Sequence, residues 1–172
     1  MGQVSLFLRI EFTWVYHVDG HLSVHLTQQS FAESLLESLG LQHLSTSMYL
    51  TPYRSGLAID SIPHKSMSSK DQDELRLAYQ SLIGSLNWLA HTTRPDLATV
   101  VSLSAQHQSH PSIGHMEAAR YAAKYLAHTK NLGIYFTSRK RSTLELFLHF
   151  PIPSTQLLSM SDANWGPQDA SQ

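Results

Sequence analysis

Residues 69–108 read SKDQDELRLAYQSLIGSLNWLAHTTRPDLATVVSLSAQHQ and carry the longest helical pattern in the chain. Apolar side chains recur at intervals of three and four, at Leu75, Tyr79, Leu82, Leu86 and Leu89. That spacing places them on one face of a helix, with polar side chains on the opposite face. The stretch therefore predicts an amphipathic helix that buries this face in a core.

Terminus signals divide the stretch into two helices. Ser69, with Gln72 three residues later, is typical of a capping box at the first helix start. The pattern breaks at Thr92, and Pro95 suits the first turn of a second helix. The second helix should turn an inner face made of Leu97, Val100, Val101 and Ser104 toward the first. Helices joined so closely are expected to pack as a hairpin, with Gly84 and Ser85 small enough for close approach.

The residues before this stretch predict strands and one helix. Residues 4–15 have strand composition, and the turn at Asp19 and Gly20 leads into a returning strand over 21–26. Thr27 is expected to cap a helix that ends at Gly40. Residues 41–68 contain Pro, Gly and many Ser without a clear period, which is typical of a long mobile or functional loop.

The residues after it predict a third helix and more strands. Pro111 and Ser112 open a helix that runs to about 129, with an inner stripe of Met116, Ala119, Ala123 and Leu126. Residues 132–137 and 144–150 predict a hairpin, and 156–161 a last short strand that ends at Asp162. The predicted fold class is α+β.

Composition limits the classes of function. The chain has 172 residues, 42% of them hydrophobic, a formal net charge of −1 and no cysteine. These values indicate a globular chain without a disulfide framework, and they argue against strong attraction to nucleic acid by the chain as a whole. No apolar run approaches the ~20 residues that span a bilayer. We expect no membrane partner and favour an intracellular location, while the oligomeric state stays open.

Three stretches in this order resemble the Ty1/copia-type retrotransposon polyprotein. They are YQSLIGSLNWLAHTTRPDLATVVSLSAQ, HMEAARYAAKYLAHTKNLGIYF and LLSMSDANWG, and the N-terminal LFLRIEF and LTQQSFAESLLESLGL fit the same family. The resemblance implies a segment that follows the polymerase palm and runs into the start of RNase H. It implies a post-palm hairpin and helix in residues 1–45, a linker in 46–68, a thumb-like or connection-like helical unit in 69–130, and a C-terminal hairpin with the beginning of an incomplete RNase H-like fold in 131–172.

The resemblance makes Asp162 the first metal-binding carboxylate of RNase H. Two-metal hydrolysis needs several carboxylates around two Mg²⁺ ions, and one carboxylate cannot hold both. The polymerase of this family needs a pair of adjacent aspartates, and the sequence has no Asp-Asp. We therefore expect a non-catalytic fragment with a vestigial Asp162 and no cofactor of its own, although the parent family uses Mg²⁺. The alternative is a nuclease completed by another chain.

A second alternative is a nucleic-acid-binding module. Basic side chains concentrate between 112 and 143, where Glu117 is the single acidic residue. Such a group can neutralise phosphates and give weak, salt-sensitive and sequence-independent binding. The partner that the resemblance implies is an RNA–DNA hybrid or another nucleic acid, weakly bound. The candidate contact residues are Arg120, Lys124, His128, Arg139, Lys140 and Arg141.

Overall fold

The computed structural model describes residues 3–43, 49–53 and 68–138, and all of these except Ser138 belong to one compact unit, Met1–Thr137. Its elements in chain order are β1 (Leu6–Phe7), β2 (Ile10–Tyr16), β3 (Leu22–Thr27), α1 (Gln29–Ser38), α2 (Ser69–Thr92), a 3₁₀ turn (Pro95–Leu97), α3 (Ala98–Ala105), α4 (Ile113–Thr129) and β4 (Ile134–Thr137). Mixed helices and strands confirm the predicted α+β class. The predicted strands over 144–150 and 156–161, and the RNase H-like part, lie outside the described residues.

Helix α2 forms where the apolar spacing predicts it, but its cap lies one residue earlier. Ser68 is the N-cap, and its Oγ accepts a hydrogen bond from the Asp71 backbone N–H at 3.2 Å. The expected Ser69–Gln72 capping box is therefore wrong. Gln72 instead donates its amide to the Pro111 carbonyl at 2.9 Å, which ties α2 to the start of α4. No helix within the described ranges is long and apolar enough to cross a bilayer.

The core lies between α1, α2, α3 and α4. Tyr79, Leu82, Leu86 and Leu89 from the predicted stripe are all buried. The Tyr79 hydroxyl donates to the Ser104 carbonyl at 2.8 Å, which satisfies the one polar group of that stripe. The prediction of close approach at Gly84 is wrong, since a Cβ at this glycine would meet nothing within 4 Å. The other buried apolar residues of the core are Ala32, Leu35, Leu36, Leu41, Ile83, Ala90, Leu97, Val100, Val101, Ala119, Ala122, Ala123, Tyr125 and Leu126.

The N-terminus of α1 is hydrogen-bonded to a carboxylate from the sheet. The predicted cap, Thr27, makes no cap hydrogen bond, and the N-cap position is Gln28. Glu11 in β2 accepts the Ser30 backbone N–H at 2.9 Å and the Thr27 hydroxyl at 3.3 Å. An anion at a helix N-terminus satisfies free N–H groups and interacts favourably with the helix dipole. Glu11, which lies 19 positions before Ser30, therefore binds the free N–H group at the start of α1, the role predicted for Thr27.

The helix end at Gly40 is confirmed. Gly40 has a φ of 67°, and its N–H bonds to the Glu37 carbonyl at 3.0 Å, while the Leu41 N–H bonds to the Leu36 carbonyl at 2.8 Å. This pair of bonds is the Schellman motif, which places a left-handed residue just past a helix. The motif also returns Leu41 into the core, where its side chain is buried.

The predicted strand over 4–15 is broken by a turn at Leu8 and Arg9. These two residues have φ angles of 50° and 63°, and they join β1 to β2 as a tight antiparallel hairpin. Two positive φ angles in a two-residue turn normally call for Asn or Gly. Leu and Arg give no such signal, so the sequence did not reveal this turn.

The four strands of the described residues form one antiparallel sheet in the order β1-β2-β3-β4. Strand β4 pairs with β3, with Ser23 opposite Thr137 and Leu26 opposite Ile134. Strands β3 and β4, which belong to the separate predicted segments 1–45 and 131–172, thus share one sheet. A Cβ at Gly133 would collide with the Leu26 carbonyl oxygen, so the approach of β4 to β3 requires glycine here.

One face of this sheet is apolar and lies outside the hydrophobic core of the described residues. Side chains alternate between the two faces of a strand, and opposite residues in the register share a face. No strand residue belongs to the hydrophobic core among the described residues. We call the apolar side the apolar sheet face; it consists of Phe7, Ile10, Phe12, Trp14, Tyr16, Leu22, Val24, Leu26, Ile134 and Phe136.

Candidate nucleic-acid interface

Helix α4 carries the described members of the predicted basic set. Ser112 caps it, accepting the His115 backbone N–H, while the His115 ring Nδ1 accepts the Ser112 backbone N–H at 2.9 Å. This reciprocal pair is a capping box in which histidine replaces the usual Glu or Gln. The predicted stripe is buried at Ala119, Ala123 and Leu126, which turns the basic positions toward the half-exposed side.

Arg120 contacts the end of α1. One terminal guanidinium nitrogen donates to the Leu39 carbonyl at 3.1 Å. The last carbonyls of a helix lack partners within the helix and carry partial negative charge, so a cation there is favourable. The contact does not neutralise Arg120, because its acceptor is a neutral carbonyl.

Lys124 and His128 lie beside an aromatic cluster. The Lys124 ammonium nitrogen is 5.5 Å from the centroid of the Tyr49 ring, within the range of a cation–π interaction. The His128 ring stacks on Tyr49 with centroids 5.8 Å apart, and Tyr121 meets Tyr49 edge-on at 5.0 Å. Three residues of the predicted 41–68 loop, Leu41, Tyr49 and Tyr53, lie in or against the core.

The structure therefore brings Arg120, Lys124 and His128 together on one helix face, as their spacing predicts. The other candidate residues, Arg139, Lys140 and Arg141, lie outside the described residues, and so does Asp162. Two further cations within the described ranges pair with carboxylates. Lys130 bonds to Glu33 at 2.7 Å and Arg76 to Asp73 at 2.8 Å.

A buried arginine is the polar centre that the sequence did not reveal. Arg94 is 2% exposed. Its Nε and Nη2 donate to the two carboxylate oxygens of Asp96 at 2.9 and 2.7 Å. Its Nη1 donates to the Thr129 carbonyl at 2.8 Å and its Nη2 to the Thr129 hydroxyl at 2.7 Å. Arginine is rarely buried unless it is paired. Here the guanidinium N–H groups donate to both oxygens of one carboxylate and to Thr129 at the C-terminus of α4.

Tyr125 completes this centre. Its hydroxyl donates to Asp96 Oδ2 at 2.9 Å, and its ring centroid lies 5.7 Å from the Arg94 guanidinium carbon. Burial raises the pKa of Asp96, but the hydrogen bonds and positive charge of Arg94 lower the pKa by a larger amount. The net shift is therefore downward. Burial and the adjacent Asp96 carboxylate raise the pKa of Tyr125. Both shifts favour an ionised Asp96 bonded to a neutral Tyr125.

The arrangement of carboxylates is structural within the described ranges. Asp96 is held by Arg94, and Glu11 by α1; there is no group of three or more His, Asp or Glu side chains in this part of the chain that could hold a metal ion. Burial raises the pKa of Glu11, but hydrogen bonds from Ser30 and Thr27 outweigh it and lower the pKa overall. An ionised Glu11 is the form that caps α1.

Known proteins similar to this chain include transposon products. Over 142 residues it is 29% identical to a retrovirus-related Pol polyprotein from transposon RE2 of Arabidopsis thaliana, an alignment that covers 83% of this chain and 8% of the polyprotein. Over 87 residues it is 34% identical to the corresponding polyprotein from transposon RE1 of the same plant, covering 51% of this chain and 5% of the polyprotein. A secreted RxLR effector protein of Plasmopara viticola is 31% identical over 87 residues, covering 51% of this chain and 52% of the effector.

No family model matches the chain, and no solved structure matches it. The chain spans less than a tenth of the length of the Pol polyproteins that it matches. These relatives confirm the resemblance that the ordered sequence motifs indicated.

Proposed function

We propose that this chain, a relative of the Pol polyproteins of Ty1/copia-type retrotransposons, is a structural segment without polymerase or nuclease activity of its own. The observation that supports this proposal is the use made of Asp96. This acid lies in the first of the three stretches that carry the resemblance, and both its oxygens bond to Arg94. A carboxylate fixed in that way holds a fold together and is not free to bind a metal.

The chemistry of the parent family gives a second support. Nucleotidyl transfer and two-metal hydrolysis both need carboxylates that converge on a pair of Mg²⁺ ions. The whole sequence has no Asp-Asp pair, and Asp162 is the one acid that the resemblance assigns to a metal site. A single carboxylate does not supply the ligands for two metals.

Primer extension and cleavage of an RNA–DNA hybrid test the proposal directly. The purified full chain is assayed in Mg²⁺ and in Mn²⁺ beside Asp162→Asn. We expect both proteins to give the background rate in both assays. Extension by the wild type would overturn the proposal, and so would hybrid cleavage that Asp162→Asn removes.

We infer a second role, weak binding of nucleic acid, from the charges on α4. Arg120 and Lys124 contact a carbonyl and an aromatic ring, so their positive charges are not cancelled by a carboxylate. Lys130, Arg76 and Arg94 differ in this respect, because each pairs with an acid. Unneutralised cations four residues apart on one face can contact successive phosphates.

Titration of a labelled RNA–DNA hybrid tests this role. With about four phosphate contacts, binding should have a Kd of about 10⁻⁴–10⁻⁶ M at physiological salt and a log–log salt slope of about −3 to −4. Arg120→Ala/Lys124→Ala should reduce the affinity and the slope. The matched control is Lys70→Ala/Arg76→Ala, which removes two cations that already pair with Glu74 and Asp73. Equal effects of the two double variants, or no binding at low salt, would contradict the role.

A further inference from the structure

In the described structure the apolar sheet face lies outside the hydrophobic core. At its edge, Trp14 Nε1 donates to the Val4 carbonyl at 2.8 Å and the Gln3 amide donates to the Tyr16 hydroxyl. The outer members of this face are strongly exposed: Tyr16 is 69% exposed, Phe7 59% and Phe136 51%. Its central members, such as Phe12 and Val24, are half-buried by their neighbours on the sheet, and none is fully buried. The hydrophobic core contains helix and loop residues and none from the strands.

An open face of this kind is unusual for a stable sheet. An antiparallel sheet normally packs one face on a core and leaves a polar face in water. Here the polar face, with Glu11, Thr13, Ser23 and Thr27, is the one that meets the start of α1. The apolar face therefore gains no burial from the helices that the structure describes. Large contiguous apolar patches on soluble proteins commonly mark interaction surfaces.

We propose that the apolar sheet face is a homodimer interface, on which a second copy of the chain packs sheet against sheet. Phe7, Tyr16 and Phe136 are 51–69% exposed. An aromatic side chain buries about 150–250 Å² in full, so the three present roughly 300–450 Å², to which the half-buried side chains around them add. A standard protein interface buries about 800 Å² on each partner. The area of the apolar sheet face therefore suits a small interface and a weak dimer.

The absence of charge favours a second copy as the occupant. The apolar sheet face carries no Asp, Glu, Lys or Arg. Two copies of one surface meet across a two-fold axis, where each charged residue near the axis would face its own like charge. A face free of charge has no such repulsion. Twisted sheets pack face to face at about 10 Å with interdigitating side chains, which suits the mixture of aromatic and branched residues here.

Sedimentation velocity of the full chain from 1 to 100 µM tests the interface. We expect the wild type to dimerise with a Kd of about 1–10 µM and to keep the dimer in high salt, because apolar burial is not screened. Tyr16→Glu places a charge on the apolar sheet face and should weaken the dimer at least tenfold. The two copies place both charges in the same interface.

Val15→Glu is the matched control. Val15 is the next residue along β2, is 38% exposed and points to the polar face, so it receives the same new charge outside the interface. We expect its dimer constant to match the wild type. Phe136→Ala on β4 is the second interface variant, and circular dichroism checks that each variant is folded.

A wild type that is monomeric up to 100 µM would overturn the proposal. A dimer that Val15→Glu disrupts as strongly as Tyr16→Glu would overturn it too, as would a dimer that neither Tyr16→Glu nor Phe136→Ala weakens. Binding of a different protein to a monomeric wild type would assign the face to another partner and reject the second copy. The outcome is independent of the nucleic-acid titration, which depends on α4.

Discussion

The Arg94 guanidinium donates to the Thr129 carbonyl at 2.8 Å, so the turn between α2 and α3 holds the C-terminus of α4. The same guanidinium forms two bonds to Asp96, and Asp96 accepts a third from Tyr125. Three helices thus meet at one buried charge. A network of this kind is favourable only while every member is satisfied.

Replacing Arg94 should therefore be costly. Arg94→Ala leaves Asp96 without its cation and the Thr129 carbonyl without its donor, and we expect a loss of ~3 kcal/mol in the free energy of unfolding. Arg94→Lys keeps the charge but loses the planar fork, so it should recover only part of the loss. Urea denaturation measures both. Arg76→Ala removes an exposed pair and should change the free energy by less than ~0.5 kcal/mol; equal losses at Arg94 and Arg76 would contradict the buried network.

Stability should fall in acid, in part through Asp96. The pKa of Asp96 is lower in the folded protein than its ordinary value, so the folded state favours the ionised form. That contribution is present above the ordinary pKa and is lost as the pH falls through the folded value, mostly below about pH 5. Asp96→Asn removes the titrating group. Urea midpoints from pH 7 to pH 3 should fall less steeply for Asp96→Asn than for the wild type, and parallel curves would reject the assignment.

The core prediction concerns Leu86, which is 1% exposed in the middle of α2. Leu86→Ala should lower the free energy of unfolding by ~2–5 kcal/mol through lost burial and a residual cavity. Leu77 lies on the same helix and is 63% exposed, so Leu77→Ala should cost less than ~0.5 kcal/mol. Chemical denaturation of the two variants in parallel provides the comparison. A negligible loss at Leu86 would exclude it from the core.

Glycine in place of Arg9 should relieve backbone strain in the turn at Leu8 and Arg9. Arg9 has a φ of 63°, a conformation that costs a non-glycine residue of order 1 kcal/mol. Its guanidinium carbon lies 5.6 Å from the Phe31 ring centroid, and that cation–π contact returns ~0.5 kcal/mol. Arg9→Gly should therefore leave the free energy of unfolding unchanged or raise it by up to ~0.5 kcal/mol. Arg9→Ala keeps the strain and loses the contact, so it should be the less stable variant; the reverse order would show that the turn is unstrained.

Gly133 should tolerate no side chain. A Cβ there collides with the Leu26 carbonyl oxygen and crowds the Thr27 side chain, so Gly133→Ala must shift β4 away from β3. We expect faster amide exchange at residues 134–137 while α2 keeps its protection. Gly84→Ala is the control, because that position has open space and alanine favours helix. Unchanged exchange in β4 would contradict the close approach.

The sequence predicted the helices well because their signals are local. Apolar spacing located α2 and α4, and Ser112 and Gly40 marked a start and an end where the structure has them. The errors concern relationships between distant residues. Glu11 caps α1 from another element, and β4 joins β3 across the whole helical unit; neither leaves a periodic trace in the sequence.

The candidate site was predicted only in part, for similar reasons. A spacing of four correctly placed Arg120, Lys124 and His128 on one face of α4. It gave no sign of Tyr49, because the contact comes from a segment without regular structure. No sequence pattern marks Arg94 as a structural centre, because arginine is usually exposed. Its burial depends on Thr129 and Tyr125, which lie far along the chain.

The pairing of β3 with β4 sets an order of events during synthesis. Ser23 and Thr137 are 114 positions apart, so a ribosome synthesises β3 long before it synthesises β4. Closing so large a loop is entropically slow, whereas helices form from local contacts within microseconds. The nascent chain therefore passes through a stage with folded helices and an incomplete sheet whose β3 edge is free. Unpaired edges of that kind recruit other strands, so the yield of folded protein should depend on how quickly translation reaches residue 137.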